Sequence, residues 1–318
     1  MAKGLRIVFF GTPGIAVASL QAILESGFGV TGVVTIPDRP AGRGLKLTAS
    51  PVKDFAVKNS LDLLQPEDLT DPGFLRKLRD WDPEVQVVVA FRILPREVWA
   101  LPPRGTFNLH ASLLPQYRGA APIHRVLMNG EKETGVTTFF LQDRVDTGNL
   151  LLQERTPIGP DETAGELRDR LTTLGARLVV ATLRQIEAGS LDPVLQESLI
   201  RPGIELKKAP KIAREDCLIR WDREVLALHD QVRGLSPDPA AYAVFRIKGE
   251  RELFLKIFRA RPEVAEHGLP PGTVTSDGKT FLKVAARNGY LCLLSVQPSG
   301  RKPMDIEEFL HGAGRQLL

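Results

Sequence analysis

The 318-residue chain predicts an α/β protein in two parts, a doubly wound domain over residues 1–188 and a small antiparallel β-barrel over residues 211–318. Three observations carry this. Continuous apolar runs (Leu5 to Phe10, Val30 to Ile36, Val85 to Phe91) alternate with helical patterns and stop at Gly- and Pro-marked turns, as buried parallel strands do. Residues 189–210 lose periodicity and carry Pro and Gly, as a linker does. After them, the strand-like runs AYAVFRI, ELFLKIF, KTFLKVAA and YLCLLSV are separated by Gly, Pro and charge, the spacing of a small antiparallel barrel or sandwich. A five-stranded barrel of the OB type fits it.

In order, LRIVFF (Leu5 to Phe10) is a strand closed by Gly11-Thr12-Pro13-Gly14, and a helical pattern follows to Ser26. With only Gly11 and Gly14 present this is a tight strand–helix turn, not the G-x-G-x-x-G dinucleotide fingerprint. Val30 to Ile36 is the second strand. PDRPAGRGLKLTASPVK, Pro37 to Lys53, is then a long loop rich in Pro, Gly and base. Loops beyond ~12 residues inside a compact domain are usually functional or disordered, and Arg39, Arg43 and Lys46 among glycines suit phosphate contacts. The strand LDLLQP, a helix over Asp71 to Trp81 and the strand VQVVVAF continue the alternation. A strand from Thr106, a loop from Ser112 to Gly119, a short helix and the strand GVTTFFL come next, and a helix from Thr163 to Ala188 closes the domain.

Composition narrows the class. The 43% hydrophobic and 25% charged fractions are those of a soluble protein, and no apolar run reaches the ~18 residues of a membrane span. MAKGLRIVFFG lacks a cleavage site, so no signal peptide is expected and the protein is read as cytoplasmic. Cys217 and Cys292 can build neither a disulfide framework nor a metal cluster, and they fit a reducing compartment. Charge is uneven: residues 1–206 carry net −1 and residues 207–318 net +5. A basic appendage on a near-neutral domain suggests a polyanionic partner, a solvated basic face being the other reading.

The chemistry concentrates between Phe107 and Gly148. Period-2 alternation puts Asn108 and His110 on one face at the carboxyl end of a strand. The loop after GVTTFFL carries Asp146. An amide donates to a developing oxyanion, an imidazole exchanges protons near neutrality, and a carboxylate beside it holds its orientation. Such a set suits acyl or formyl transfer through a tetrahedral intermediate. Asp146-Thr147-Gly148 also spells the aspartic-protease motif, but that chemistry needs two such carboxylates and the chain has one copy in an α/β pattern. No H-e-x-x-H or G-x-S-x-G motif supports zinc or nucleophile-elbow chemistry.

Asn108-x-His110, Ser112-Leu-Leu-Pro-x-x-Arg118-Gly119 and Asp146-Thr-Gly at this spacing resemble the folate-dependent formyltransferase family. FFGTP, PDRPAGRG…SPVK, KAPKI, RGLSPDPAA and QPSGRKPM extend the likeness nearly end to end, toward the branch that acts on an aminoacylated tRNA. The resemblance implies a Rossmann-like catalytic domain, a linker over 189–210 and an OB-fold-like tRNA-binding domain. The implied reaction moves the formyl group of 10-formyltetrahydrofolate to the α-amino group of methionine on initiator tRNA, without a metal and in a monomer. By motif, Asn108 and His110 would stabilise the oxyanion, and Asp146 would hold His110 and help move the proton. Ser112, Leu113, Leu114 and Pro115, with Phe91 and Ile93, would line the folate site. Arg39, Arg43 and Lys46 would approach the acceptor stem, and Lys207, Lys208 and Lys211 would meet tRNA phosphates. Arg92 and Arg144 stand where family members carry Gly, beside the implied pterin pocket. Two alternatives remain at this point: the same donor with a small amine acceptor (an amino sugar or glycinamide ribotide), and an RNA-binding protein without activity.

Overall fold

The computed structural model describes residues 4–41, 46–246, 252–312 and 314. The chain opens with β1 (Arg6–Gly11), α1 (Gly14–Glu25) and β2 (Gly29–Val34). A hairpin of β3 (Arg39–Ala41) and β4 (Lys46–Thr48) follows, then α2 (Pro51–Lys58) and β5 (Leu63–Leu64). Next come α3 (Pro72–Asp80), β6 (Val85–Val89), α4 (Arg96–Trp99) and β7 (Thr106–His110). After them stand α5 (Pro122–Met128), β8 (Glu133–Phe140), β9 (Leu150–Pro157) and α6 (Ala164–Ala188). A 3-10 turn spans Gln196–Leu199.

All of these strands except β3 and β4 form one seven-stranded sheet in the order β5-β2-β1-β6-β7-β8-β9. The pairs of β1 with β2 and β6, of β2 with β5, and of β6 with β7 are parallel. β6 is buried along its whole length, which is why VQVVV is a nearly unbroken apolar run and not an alternation. β8 runs antiparallel to β7. On one side Val8, Phe10, Val34 and Val88 pack with Phe74, Leu75 and Leu78, the apolar stripe of α3. That helix starts where its sequence says: Asp71 Oδ1 accepts from Phe74 N (2.8 Å), and Pro72 fills the first turn.

In the stretch expected as a loop from Pro37 to Lys53, the described residues include two paired strands and a helix start. β3 and β4 pair with Arg39 opposite Thr48, and the segment ends in α2, capped by Ser50 Oγ accepting from Lys53 N (3.1 Å). Ser-Pro at a helix start is a cap-and-first-turn signal that the basic composition hid. At the foot of the hairpin Asp38 accepts from Lys53 Nζ (2.6 Å) and Gln65 Nε2 (2.9 Å), and those bonds hold its carboxyl below the usual carboxylate range.

The remaining elements are α7 (Arg214–Cys217), α8 (Val225–Leu235), β10 (Ala241–Arg246), β11 (Glu252–Val264) and β12 (Val274–Ser276). They end with β13 (Leu282–Ala286), β14 (Gly289–Pro298), β15 (Met304–Asp305) and α9 (Ile306–His311). The antiparallel sheet follows the path β10-β11-β14-β13-β12, with β15 on β14, an OB-like arrangement. Leu255, Ile257, Leu282, Val284, Leu291 and Val296 line its core against Val225, Leu228, Val232 and Leu235 of α8. That helix went unread among the strand-like runs, although its apolar residues stand at helical spacing.

Contacts divide the chain into two compact units: Met1–Gly119, Thr134–Thr156 and Arg168–Lys208 in one, Ala120–Glu133, Pro157–Leu167 and Ala209–Leu318 in the other. Among the described residues no helix is long and apolar enough to cross a membrane.

Candidate active site

Sequence alternation on β7 puts Asn108 and His110 on the same face, opposite Phe139 and Thr137 of β8. His110 is buried and Asn108 half-buried. The imidazole meets the Phe139 ring edge-on, centroids 6.4 Å apart. Its Nε2 lies 2.9 Å from Tyr117 O. A carbonyl only accepts, so Nε2 is the protonated nitrogen and Nδ1 is left with a lone pair in the neutral ring.

The loop after β7 is pinned by one hydroxyl. Thr137 Oγ1 donates to Ser112 O (2.7 Å) and accepts from Leu114 N (3.2 Å) and Gln153 Nε2 (2.9 Å), which also donates to Leu114 O (3.0 Å). Ser112 Oγ donates to Gln116 O (2.8 Å). Of the four residues expected to line the folate site, Ser112 and Leu114 are therefore buried and bonded inward, while Leu113 and Pro115 are half-exposed.

Asp146 reaches this loop from an unexpected side. Because β8 is antiparallel, its last residue Phe140 lies beside Phe107 at the beginning of β7, so the Asp146 loop leaves from the end of the pair remote from His110. It turns back, and Asp146 Oδ2 accepts from Gly119 N at 3.0 Å. His110 and Asp146 are thus tied to residues two apart, Tyr117 and Gly119, and meet through that segment. Tyr117, Asp146 and Ala90, the residue after β6, have φ of 61°, 55° and 48°. Non-glycine residues in this left-handed region cost free energy and concentrate at functional sites.

Gln196 is the residue of this constellation that the sequence did not reveal. It sits in the stretch read as a linker, yet it is fully buried. Its Nε2 donates to Gly148 O (2.7 Å) and Asp146 O (3.2 Å), and its Oε1 accepts from Arg118 Nη2 (2.7 Å) and Nε (3.1 Å). A lone Gln in an aperiodic segment carries no sequence signal. The same stretch touches the loop after β7 again, with Tyr117 N donating to Lys207 O (2.7 Å), Lys207 N to Gln116 Oε1 (2.8 Å) and Gln116 Nε2 to Glu205 O (3.1 Å).

Phe91 packs edge-on against Phe10, centroids 5.6 Å apart, whereas Ile93 is 75% exposed. The Arg92 guanidinium donates to Pro66 O (2.7 Å) and Glu67 O (2.9 Å) and lies over the Phe91 ring. Arg144 is exposed, and its carbonyl accepts from Thr147 Oγ1 (2.9 Å). Arg39, Lys207, Lys208 and Lys211 are exposed. Arg43 and the Lys46 side chain lie outside the described residues.

Comparison with known proteins identifies the family. Residues 5–183 match the formyl transferase family model, and residues 211–314 match the formyl transferase C-terminal domain. A methionyl-tRNA formyltransferase of Bacteroides thetaiotaomicron is 47% identical over 310 residues, covering 98% of this chain and 96% of that one. The Flavobacterium johnsoniae protein of the same name is 46% identical, covering 97% and 96%. Among solved structures, a Helicobacter canadensis N-formyltransferase in complex with folinic acid and dTDP-3-aminofucose shares the fold at TM-score 0.64 and 19% identity, covering 92% of this chain and 99% of that one. Aquifex aeolicus HypX in complex with tetrahydrofolic acid matches at 0.64 and 19%, covering 97% and 48%. With both of its halves matched and near-half identity to relatives over almost its full length, the chain belongs to the formyl transferase family, in its methionyl-tRNA formyltransferase branch.

Proposed function

We propose that the protein transfers the formyl group of 10-formyltetrahydrofolate to the α-amino group of methionyl initiator tRNA, giving the N-formylated initiator, in the cytoplasm and without a metal. The observation that carries the site assignment is the joining of His110 and Asp146 through the Tyr117–Gly119 segment, beside the half-buried amide of Asn108. Folate is consumed as a substrate. The exposed apolar side chains of Ile93 and Val145 are free to contact a flat heterocycle.

In this reading the Asn108 amide donates to the oxyanion that forms as the amine adds to the formyl carbon. His110, its Nε2–H held by Tyr117 O, takes the amine's proton at Nδ1 and as an imidazolium stabilises the same oxyanion. Asp146 balances that charge. Collapse breaks the bond from the formyl carbon to the donor nitrogen, which receives the proton. No covalent enzyme intermediate is needed. Arg39 and Lys46, with Arg43, Lys207, Lys208 and Lys211, supply cations for tRNA phosphates.

The test is transfer of labelled formyl from 10-formyltetrahydrofolate to methionyl initiator tRNA, with uncharged tRNA as control. His110→Ala and Asp146→Ala should each lower kcat/KM by about 10²–10⁴ with circular dichroism unchanged. Turnover like wild type in either would overturn the mechanism, and transfer to a small amine in place of the tRNA would overturn the acceptor.

A further inference from the structure

Gln196 falls between the two matched family segments, beyond residue 183 and before residue 211, and the mechanism above makes no use of it. Its contacts close a ring. From Gln196 Oε1 the ring passes to the Arg118 guanidinium, along the chain to Gly119 N, across to Asp146 Oδ2, and from Asp146 O back to Gln196 Nε2. One residue before Arg118, Tyr117 O accepts from His110. A second bond from Nε2, to Gly148 O at 2.7 Å, fixes the other side of the Asp146 turn.

We propose that Gln196 is a positioning residue for formyl transfer, locking the Asp146 carboxylate against the loop that holds His110. The inference rests on the formyl-transfer reading. A primary amide is the group this place requires, because one end must accept from a guanidinium while the other donates to two carbonyls. Glutamate would keep the Arg118 contact but set a charge against the oxygens of Asp146 and Gly148. Leucine would make neither contact. The lock also explains the Asp146 backbone, since a non-glycine residue at φ 55° persists where its surroundings over-determine it.

The full-length Gln196→Glu and Gln196→Leu proteins are compared with wild type in the labelled-formyl assay, after circular dichroism and thermal unfolding. The expected result is a kcat lower by about 10–100-fold, the cost of misplacing a reacting group by about an ångström, with KM for folate and for tRNA changed less than about threefold. In an Asp146→Asn background, Gln196→Glu should add less than about a twofold further loss, as coupled groups do. Hydrogen exchange gives a readout independent of activity: the Gly119 amide should exchange at least about tenfold faster in Gln196→Glu, because its acceptor is no longer held. A folded Gln196→Glu with kcat within twofold of wild type, a loss confined to KM, losses that multiply with Asp146→Asn, or unchanged Gly119 exchange would each overturn the proposal. Gln196→Glu preserves size and the Arg118 contact, so it carries the test if Gln196→Leu does not fold. Absence of transfer by wild type would instead defeat the functional reading, with the exchange measurement still deciding the lock.

Discussion

Gly148 shows what one missing Cβ does at this site. A Cβ there would lie 1.6 Å from Phe140 O, the last residue of β8, whose N–H donates to Asn149 O. The Asp146 loop can close back onto its strand only because nothing projects from residue 148. Alanine would push the two backbones apart, break the Gln196 bond to Gly148 O and release Asp146. Gly148→Ala should therefore lose at least about 100-fold in kcat/KM and about 1–3 kcal/mol of stability from overpacking. Full activity with an unchanged unfolding temperature would refute this account. The residue-scale reading from sequence was uneven for a physical reason. Asn108 and His110 were legible because a strand's alternation assigns faces, and Asp146 because of its motif. Gln196 was not, because its partners lie 48 to 78 residues away.

At the scale of elements, the antiparallel β8 and the start of α6 show different origins of structure. α6 begins with a capping box spelled in the sequence, Thr163-Ala-Gly-Glu166. Glu166 Oε2 accepts from Thr163 N (2.8 Å) and Thr163 Oγ1 (2.8 Å), and Oε1 accepts from Arg259 Nη2 (2.6 Å). The bonds from Thr163, and then the Arg259 guanidinium, hold this carboxyl below its usual range. A carboxylate depressed by folding stabilises above its unfolded value, and that contribution is lost as pH falls through the folded one. Glu166→Gln should thus be less stable than wild type at pH 7, and the gap should narrow at acid pH as wild type loses the same contribution. Thermal unfolding across that range checks it; a gap that widens toward acid would show that the charge is not what stabilises. The direction of β8 has no comparable local cue. GVTTFFL fits a strand of either sense, and pairing with β7 decided it.

At the scale of the whole molecule, the sequence divides charge into a near-neutral first 206 residues and a basic remainder of net +5. If the basic residues serve a polyanionic acceptor, its binding releases counterions and weakens with salt, whereas the folate, a small ligand, does so far less. KM for methionyl tRNA should rise at least about tenfold between about 50 and 200 mM salt, and KM for 10-formyltetrahydrofolate should stay within about twofold. Parallel salt dependence of the two would place the basic residues outside tRNA recognition. The division into units is likewise a whole-chain property: Ala120–Glu133 and Pro157–Leu167 group with the C-terminal residues, which no local composition shift marked.

By itself the sequence determined the fold class and the α/β alternation, and it singled out Asn108, His110 and Asp146 as candidates, because these readings rest on periodicity and short-range motifs that act within a few residues. It also carried the caps of α3 and α6 for the same reason. Only the tertiary structure decided that Asp146 approaches from the far end of an antiparallel strand, that Arg92 is spent on the carbonyls of Pro66 and Glu67, and that Gln196 closes the ring around the Asp146 turn. Those are hydrogen bonds between groups distant in sequence, and their partners exist only once the chain has packed.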